Sequence, residues 1–132
     1  MKFKRSSGIL MHITSLPGPD GIGDLGAEAY QWVNTLADIG CNLWQVLPLG
    51  PTGYADSPYQ CFSAFAGNPY LINPAMLWED GLLTREEVAD RPDFPTDLVD
   101  YGPVIDHKVK LLDQAYTRFK GMKGTELYEE YK

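Results

Sequence analysis

Side chains of the kind that bind sugars are concentrated in an irregular stretch near the middle of the chain, at Tyr54, Asp56, Ser57, Tyr59 and Gln60. Aromatic rings stack on the apolar faces of sugar rings, and carboxylate, hydroxyl and amide groups hydrogen-bond sugar hydroxyls. The irregular stretch covers residues 50–73. A loop of this length is usually functional or disordered, and its aromatic content argues against disorder. The composition suggests a carbohydrate ligand, while a packed loop with tyrosines as small cores stays open as the alternative.

A second motif, GIGDLG at residues 21–26, has the glycine spacing of a dinucleotide-binding fingerprint. In that fingerprint the glycines follow directly on the first strand, whereas here a stretch stiffened by Pro17 and Pro19 intervenes. The following strand closes in VLPL, without the carboxylate that binds the ribose. We therefore interpret the glycines as permitting turns and close backbone packing, not as an NAD site.

These motifs follow two apolar segments, residues 8–14 and 42–49, which are typical of strands buried on both faces. Between them, residues 25–39 carry apolar side chains at helical spacing, with Asp24 as the predicted N-cap and Gly40 as the predicted stop. Strand, helix and strand at this spacing predict a βαβ unit with parallel strands. The first loop (residues 14–24) and the second loop (residues 50–73) should then meet at one edge of the sheet.

The carboxyl-terminal half of the sequence predicts helices. Thr84 and Glu87 have the spacing of a capping box, and the helix they begin must end at Arg91-Pro92. A longer helix is predicted from Pro103. The final GMKGTELYEEYK is polar and is predicted to be either cut off or frayed. The predicted apolar face of the long helix consists of Val104, Ile105, Val109, Leu112, Tyr116 and Phe119.

Composition excludes several function classes. The net charge of −7 and the lack of a basic stripe argue against nucleic acid as a partner. No segment approaches the roughly 20 apolar residues of a membrane span, and no signal peptide is evident, so we predict a cytoplasmic protein. Cys41 and Cys61 are predicted to be free thiols. The histidines and cysteines lack ligand spacing, so no metal site is predicted.

Longer strings carry a family resemblance. Two stretches resemble the amino-terminal region of the 4-α-glucanotransferases called amylomaltase or disproportionating enzyme: SGILMHITSLPGPDGIGDLG and LWQVLPLGPTGYADSPYQCFSAFAGNPYLI. A looser resemblance continues through VDYGPVIDHKVKLLDQA. The resemblance implies a (β/α)₈ barrel with inserted subdomains. It also implies transfer of α-1,4-glucan segments between maltodextrins without a cofactor, by a retaining mechanism with two carboxylates about 5 Å apart.

The resemblance assigns four substrate-binding residues, all in the second loop. Tyr59 matches a direct neighbour of the reacting sugar ring, Ser57 a hydroxyl partner, and Tyr54 a tyrosine that binds glucan outside the cleft. Asp56 is interpreted as a turn former or sugar ligand. Ala55 departs from the family's usual glycine, which matters only if that position needs a positive φ. Cys61 departs from the usual serine.

No catalytic residue is assigned. The catalytic carboxylates of the family come from later strands, and their motifs have no counterpart before Lys132. We therefore expect residues 1–73 to begin a (β/α)₈ barrel and residues 74–132 to form part of a helical insertion, with the carboxyl-terminal part of the barrel missing and the chain inactive alone. A non-catalytic maltodextrin-binding fragment is the alternative, and a dinucleotide-binding α/β domain a remoter one.

Overall fold

Two short parallel strands with a helix between them form the amino-terminal half of the chain. The computed structural model describes residues 4–61, 63 and 65–131. Strand β1 (Gly8–Leu10) pairs with β2 (Leu43–Gln45), and helix α1 (Ala27–Asp38) connects them. Ile9 lies opposite Trp44 in the parallel register. The predicted strand–helix–strand order and the parallel pairing are confirmed.

Only one face of this sheet is covered. Ile9 and Trp44 point towards α1, where Trp32 meets Trp44 edge-on at 6.4 Å between ring centroids. On the opposite face, Leu10 is 57% exposed and Leu43 is 59% exposed. The prediction of strands buried on both faces is therefore wrong for the described residues, because their sheet has two strands and no layer packs on its second face.

For α1, the prediction of the carboxyl-terminal end is correct and the prediction of the N-cap is wrong. Gly40 follows the helix at φ +78°, and its N–H donates to the carbonyl of Ala37, so the predicted glycine stop is confirmed. The N-cap is Gly26, not Asp24. The Asp24 carboxylate still accepts the Gly26 N–H at 3.0 Å, but it lies two residues before the cap and takes part in longer-range bonds.

Among the described residues, two separate apolar cores stabilise the two halves of the chain. The amino-terminal core is formed by Ile13, Leu16, Ala29 and Leu71, and the carboxyl-terminal core by Leu82, Leu83, Leu111 and Ala115. The second core lies among α2 (Pro74–Glu79), α3 (Arg85–Ala89), α4 (Tyr101–Gly121) and α5 (Glu126–Tyr131).

Helix α3 begins with the predicted capping box. Thr84 Oγ1 accepts the Glu87 N–H at 3.2 Å, while Glu87 Oε2 accepts the Thr84 N–H at 2.8 Å. The helix ends at Ala89, before Arg91-Pro92, as predicted. The capping box and the Arg91-Pro92 stop are both local in sequence, so they can be recognised without tertiary information.

Helix α4 is longer than predicted, and a different face of it is buried. It begins at Tyr101, two residues before Pro103, because the first-turn positions need no N–H for a helical bond. Val109 and Tyr116, two members of the predicted apolar face, are exposed. The buried stripe consists of Val104, His107, Lys108, Leu111 and Ala115.

The tail predicted to be frayed forms α5 instead. Leu127 packs against the carboxyl-terminal core, and the ring of Tyr131 lies 5.2 Å from that of Phe119. Aromatic contacts across a short connection thus hold a helix that its polar composition does not predict.

Candidate functional site

His12 joins the segments that lead from β1 and β2 into the two loops. Its Nδ1 accepts the Thr14 N–H at 3.3 Å and lies 2.8 Å from Thr14 Oγ1, so Nε2 carries the proton and donates to the carbonyl of Pro48 at 3.3 Å. This bond joins the carboxyl ends of the two strand segments. With both ring nitrogens occupied, His12 has the contacts of a structural residue at the rim.

A second link joins the two loops to the start of α4. Burial raises the pKa of the Tyr101 phenol above its usual range, a hydrogen bond with the Thr14 side chain opposes that rise, and the negative charge of Asp56 adds to it. Thr14, Asp56 and Tyr101 therefore share one environment. The convergence that the parallel strands predict is observed, but neither Thr14 nor Tyr101 was among the predicted site residues.

The predicted sugar-binding residues lie in two single 3₁₀ turns, Tyr54–Asp56 and Pro58–Gln60, and at Ser57, which connects the turns. Tyr59 is 71% exposed, Asp56 is exposed and Ser57 is partly buried. The side chain of Tyr54 lies outside the described part of the structure. The second loop thus presents an aromatic face with carboxylate and hydroxyl groups beside it.

The backbone of the first of these two turns is left-handed at two residues. Ala55 has φ +57° and ψ +26°, and Asp56 has φ +53°. An aspartate side chain tolerates this region through local hydrogen bonding, whereas an alanine there costs roughly 1–2 kcal/mol because its Cβ crowds the following carbonyl. The condition under which Ala55 would matter, a positive φ, is met.

The glycines of GIGDLG pack against neighbouring segments. A Cβ on Gly23 would overlap the carbonyl of Ile13 and lie 2.7 Å from Leu16 N, and one on Gly26 would overlap the Asn73 side chain. The Gly26 N–H, which would face a pyrophosphate in a dinucleotide site, already bonds the buried Asp24 carboxylate. Because this N–H is already bonded, it is not available to a phosphate, which agrees with the packing interpretation.

Asp24 is the most connected carboxylate of the first loop. Its Oδ2 accepts the Lys108 ammonium at 2.9 Å, and its Oδ1 accepts from Asn73 Nδ2 at 2.8 Å. Lys108 Nζ donates in addition to the carbonyl of Ile72 at 2.8 Å. These three residues, Asp24, Asn73 and Lys108, are called the Asp24 cluster below. Lys108 stands among Asp106, His107 and Lys110 in α4, so its neighbours in the sequence give no hint of its burial.

A groove of about 650 Å³ runs beside the first loop, between Thr14–Gly23 and Arg91–Val99. Its walls include prolines, Phe94, Arg91 and two aspartates. Residues 54–60 do not line it, so the groove and the tyrosine turns are distinct features. Near it, His107 Nε2 lies 3.5 Å from Asp20 Oδ1, both buried.

Within residues 4–61, 63 and 65–131, no three metal-binding side chains come close enough to hold an ion. Cys41 and Cys61 are both unpaired and partly buried. Across the same residues, none of the helices combines the length and apolar character needed to span a bilayer.

Comparison with known proteins identifies a family. A family model described as 4-alpha-glucanotransferase matches residues 11–132. The 4-alpha-glucanotransferase of Thermus thermophilus is 49% identical over 131 residues, which is 99% of this chain and 25% of that protein. The corresponding protein of Synechocystis sp. is 49% identical over 89% of this chain and 23% of its own length.

A solved structure agrees with these sequence matches. Amylomaltase from Streptococcus agalactiae, in complex with acarbose, superposes with a TM-score of 0.87 at 40% identity, covering 97% of this chain and 26% of its own. The chain thus spans about a quarter of the length of the relatives it matches. On the matched residues and the shared fold, the chain belongs to the 4-α-glucanotransferase family.

Proposed function

We propose that this chain forms the amino-terminal portion of a 4-α-glucanotransferase barrel and supplies glucan-binding loops. Residues 1–73 begin the (β/α)₈ barrel, and residues 74–132 belong to a helical segment inserted into it. The retaining transfer reaction needs a nucleophilic carboxylate and an acid–base carboxylate about 5 Å apart. The remaining strands of the barrel supply both, as they do in the family.

The observation that carries the proposal is the exposed Tyr59, close in sequence to Asp56 and Ser57 in the loop that follows the carboxyl end of β2. In a parallel barrel this is the face on which active sites are built. The ring offers a stacking surface for a glucose unit, and the two polar side chains offer partners for its hydroxyls. The structural relative bound to acarbose supports a ligand of this class.

The loop contributes binding and exclusion of water, not proton transfer. His12 is held by Thr14 and by the carbonyl of Pro48, and we assign it a structural role. A stacked aromatic ring covers one face of the donor sugar, which favours attack by an acceptor hydroxyl over attack by water. Tyr54, Asp56, Ser57 and Tyr59 are the proposed glucan contacts.

The test is electrophoresis of the chain in native gels that contain maltodextrin. Removing the ring with Tyr59→Ala should raise the Kd for dextrin about two- to tenfold, the range expected from an aromatic contact of about 0.5–1.5 kcal/mol. Tyr59→Phe keeps the stacking surface and should retain most of the affinity. Tyr30→Ala is the matched control, because Tyr30 is similarly exposed but lies on α1.

Retardation of Tyr59→Ala equal to that of the unmodified chain removes Tyr59 from the site. Equal losses in Tyr59→Ala and Tyr30→Ala would show a general surface effect and count against the second loop. An unmodified chain that is not retarded at all contradicts the proposed glucan binding.

A further inference from the structure

Helix α4 carries two long cations that reach back to earlier segments in the same manner. Lys108 donates to the carbonyl of Ile72, and Arg118 donates to the carbonyl of Leu82, in each case 36 residues earlier. Each cation also bonds a carboxylate, Asp24 for Lys108 and Glu87 for Arg118. We call these two sets of contacts the Lys108 tether and the Arg118 tether. They differ in burial and in the segments that they join.

The Lys108 tether contacts both the first loop and the second loop. Asp24 belongs to the first loop, and Ile72 and Asn73 form the carboxyl end of the second loop. The N–H of Leu25 donates to the carbonyl of Leu71 at 2.9 Å, which adds a backbone bond between the same two segments. The other end of the second loop leaves β2, so the Asp24 cluster is the anchor at its far end.

Burial of this pair is not explained by stability alone. The side chain of Lys108 is 1% exposed and that of Asp24 is 7% exposed. Removing two charges from water costs nearly as much as their attraction returns, and an apolar pair of similar volume would often stabilise a fold equally well. A charged pair with directed hydrogen bonds instead fixes one geometry among several compact alternatives.

We infer that Lys108 is a positioning residue: it fixes the carboxyl end of the second loop against the first loop, so that the Tyr59 turns are held in a binding-ready arrangement. This inference rests on the proposed glucan role of the second loop. Without the tether the loop would have to be ordered by the glucan itself, at the expense of affinity.

The matched variants are Lys108→Met and Arg118→Met, compared in the maltodextrin gel and by urea unfolding. Both should lower the unfolding midpoint, since each leaves a carboxylate without its cation. Only Lys108→Met should weaken dextrin binding, by about tenfold, which corresponds to about 1.4 kcal/mol. Unchanged affinity in a folded Lys108→Met chain, or an equal loss in Arg118→Met, overturns the inference.

A double variant covers the case in which Lys108→Met does not fold. Asp24→Asn combined with Lys108→Met removes both charges, so folding should recover while the Ile72 carbonyl still lacks its donor. We expect dextrin affinity to stay reduced about tenfold in this chain. Recovery of full affinity would show that charge balance, not the tether, is what matters.

Hydrogen exchange separates failure of this inference from failure of the proposed function. If the unmodified chain binds no dextrin, the glucan role fails, yet the tether is still measurable. Lys108→Met should then accelerate exchange of the Leu25 and Gly26 amides more than that of the Val88 amide, and Arg118→Met should do the reverse. Uniform acceleration in both variants refutes the positioning role.

Discussion

Replacing Ala55 by glycine should stabilise the chain, against the usual direction of such a change. Ala55 is held at φ +57° and ψ +26°, where its Cβ costs roughly 1–2 kcal/mol. Glycine removes that cost but makes the unfolded chain more flexible, which offsets about 0.4–1 kcal/mol. The net gain expected is about 0.5–1 kcal/mol, equivalent to an increase in Tm of about 2–4 °C for a domain of this size.

The assay is thermal and urea unfolding of Ala55→Gly beside Ala66→Gly. Ala66 lies in the same loop without a positive φ, so its glycine variant keeps only the unfolded-state effect and should lose about 0.4–1 kcal/mol. Opposite signs for the two substitutions support the left-handed backbone at Ala55. A decrease in Tm of the same size in both variants would refute it.

Two further predictions concern a carboxylate and a glycine. Glu87, whose pKa is lowered from 4.5 to about 2, chiefly by the hydrogen bond from Arg118, contributes stability that is complete above pH 4.5 and is lost as the pH falls towards about 2. As the pH is lowered, the unfolding midpoint of Glu87→Gln should therefore fall less steeply than that of the unmodified chain, and identical slopes would contradict this. Gly23→Ala should destabilise by about 1–3 kcal/mol, because its Cβ meets main-chain atoms on two sides, whereas Gly67→Ala has open space and should not; similar unfolding midpoints for the two variants would argue against the close packing.

Features that depend on neighbouring residues were predictable from the sequence. The Thr84 and Glu87 capping box, the stop at Gly40 and the strand–helix–strand order each follow from spacing over a few residues or from apolar periodicity. The second loop was identified by its composition, and the structure shows that Tyr59 in this loop is exposed. Its sugar contacts stay a prediction.

The face of α4 could not be predicted in this way. Apolar residues mark a stripe through Val109 and Tyr116, rotated about a quarter turn from the buried one. The buried stripe contains His107 and Lys108, which are accepted inside because aspartates of the first loop, more than 80 residues earlier, lie against them. No local pattern carries the information that a distant carboxylate neutralises a helix residue. The same kind of long-range bonding engages Asp24, which the local sequence predicts to be an N-cap.

The 84-residue separation between Asp24 and Lys108 also sets an order of events during synthesis. A chain emerging from its amino terminus presents Asp24 long before its cation exists, and an unpaired carboxylate resists burial. The β1–α1–β2 unit therefore does not become stably folded while the next sixty or so residues are translated. Closing so long a loop is also slow compared with local helix formation. The first part of this polypeptide to be made should be among the last to become native.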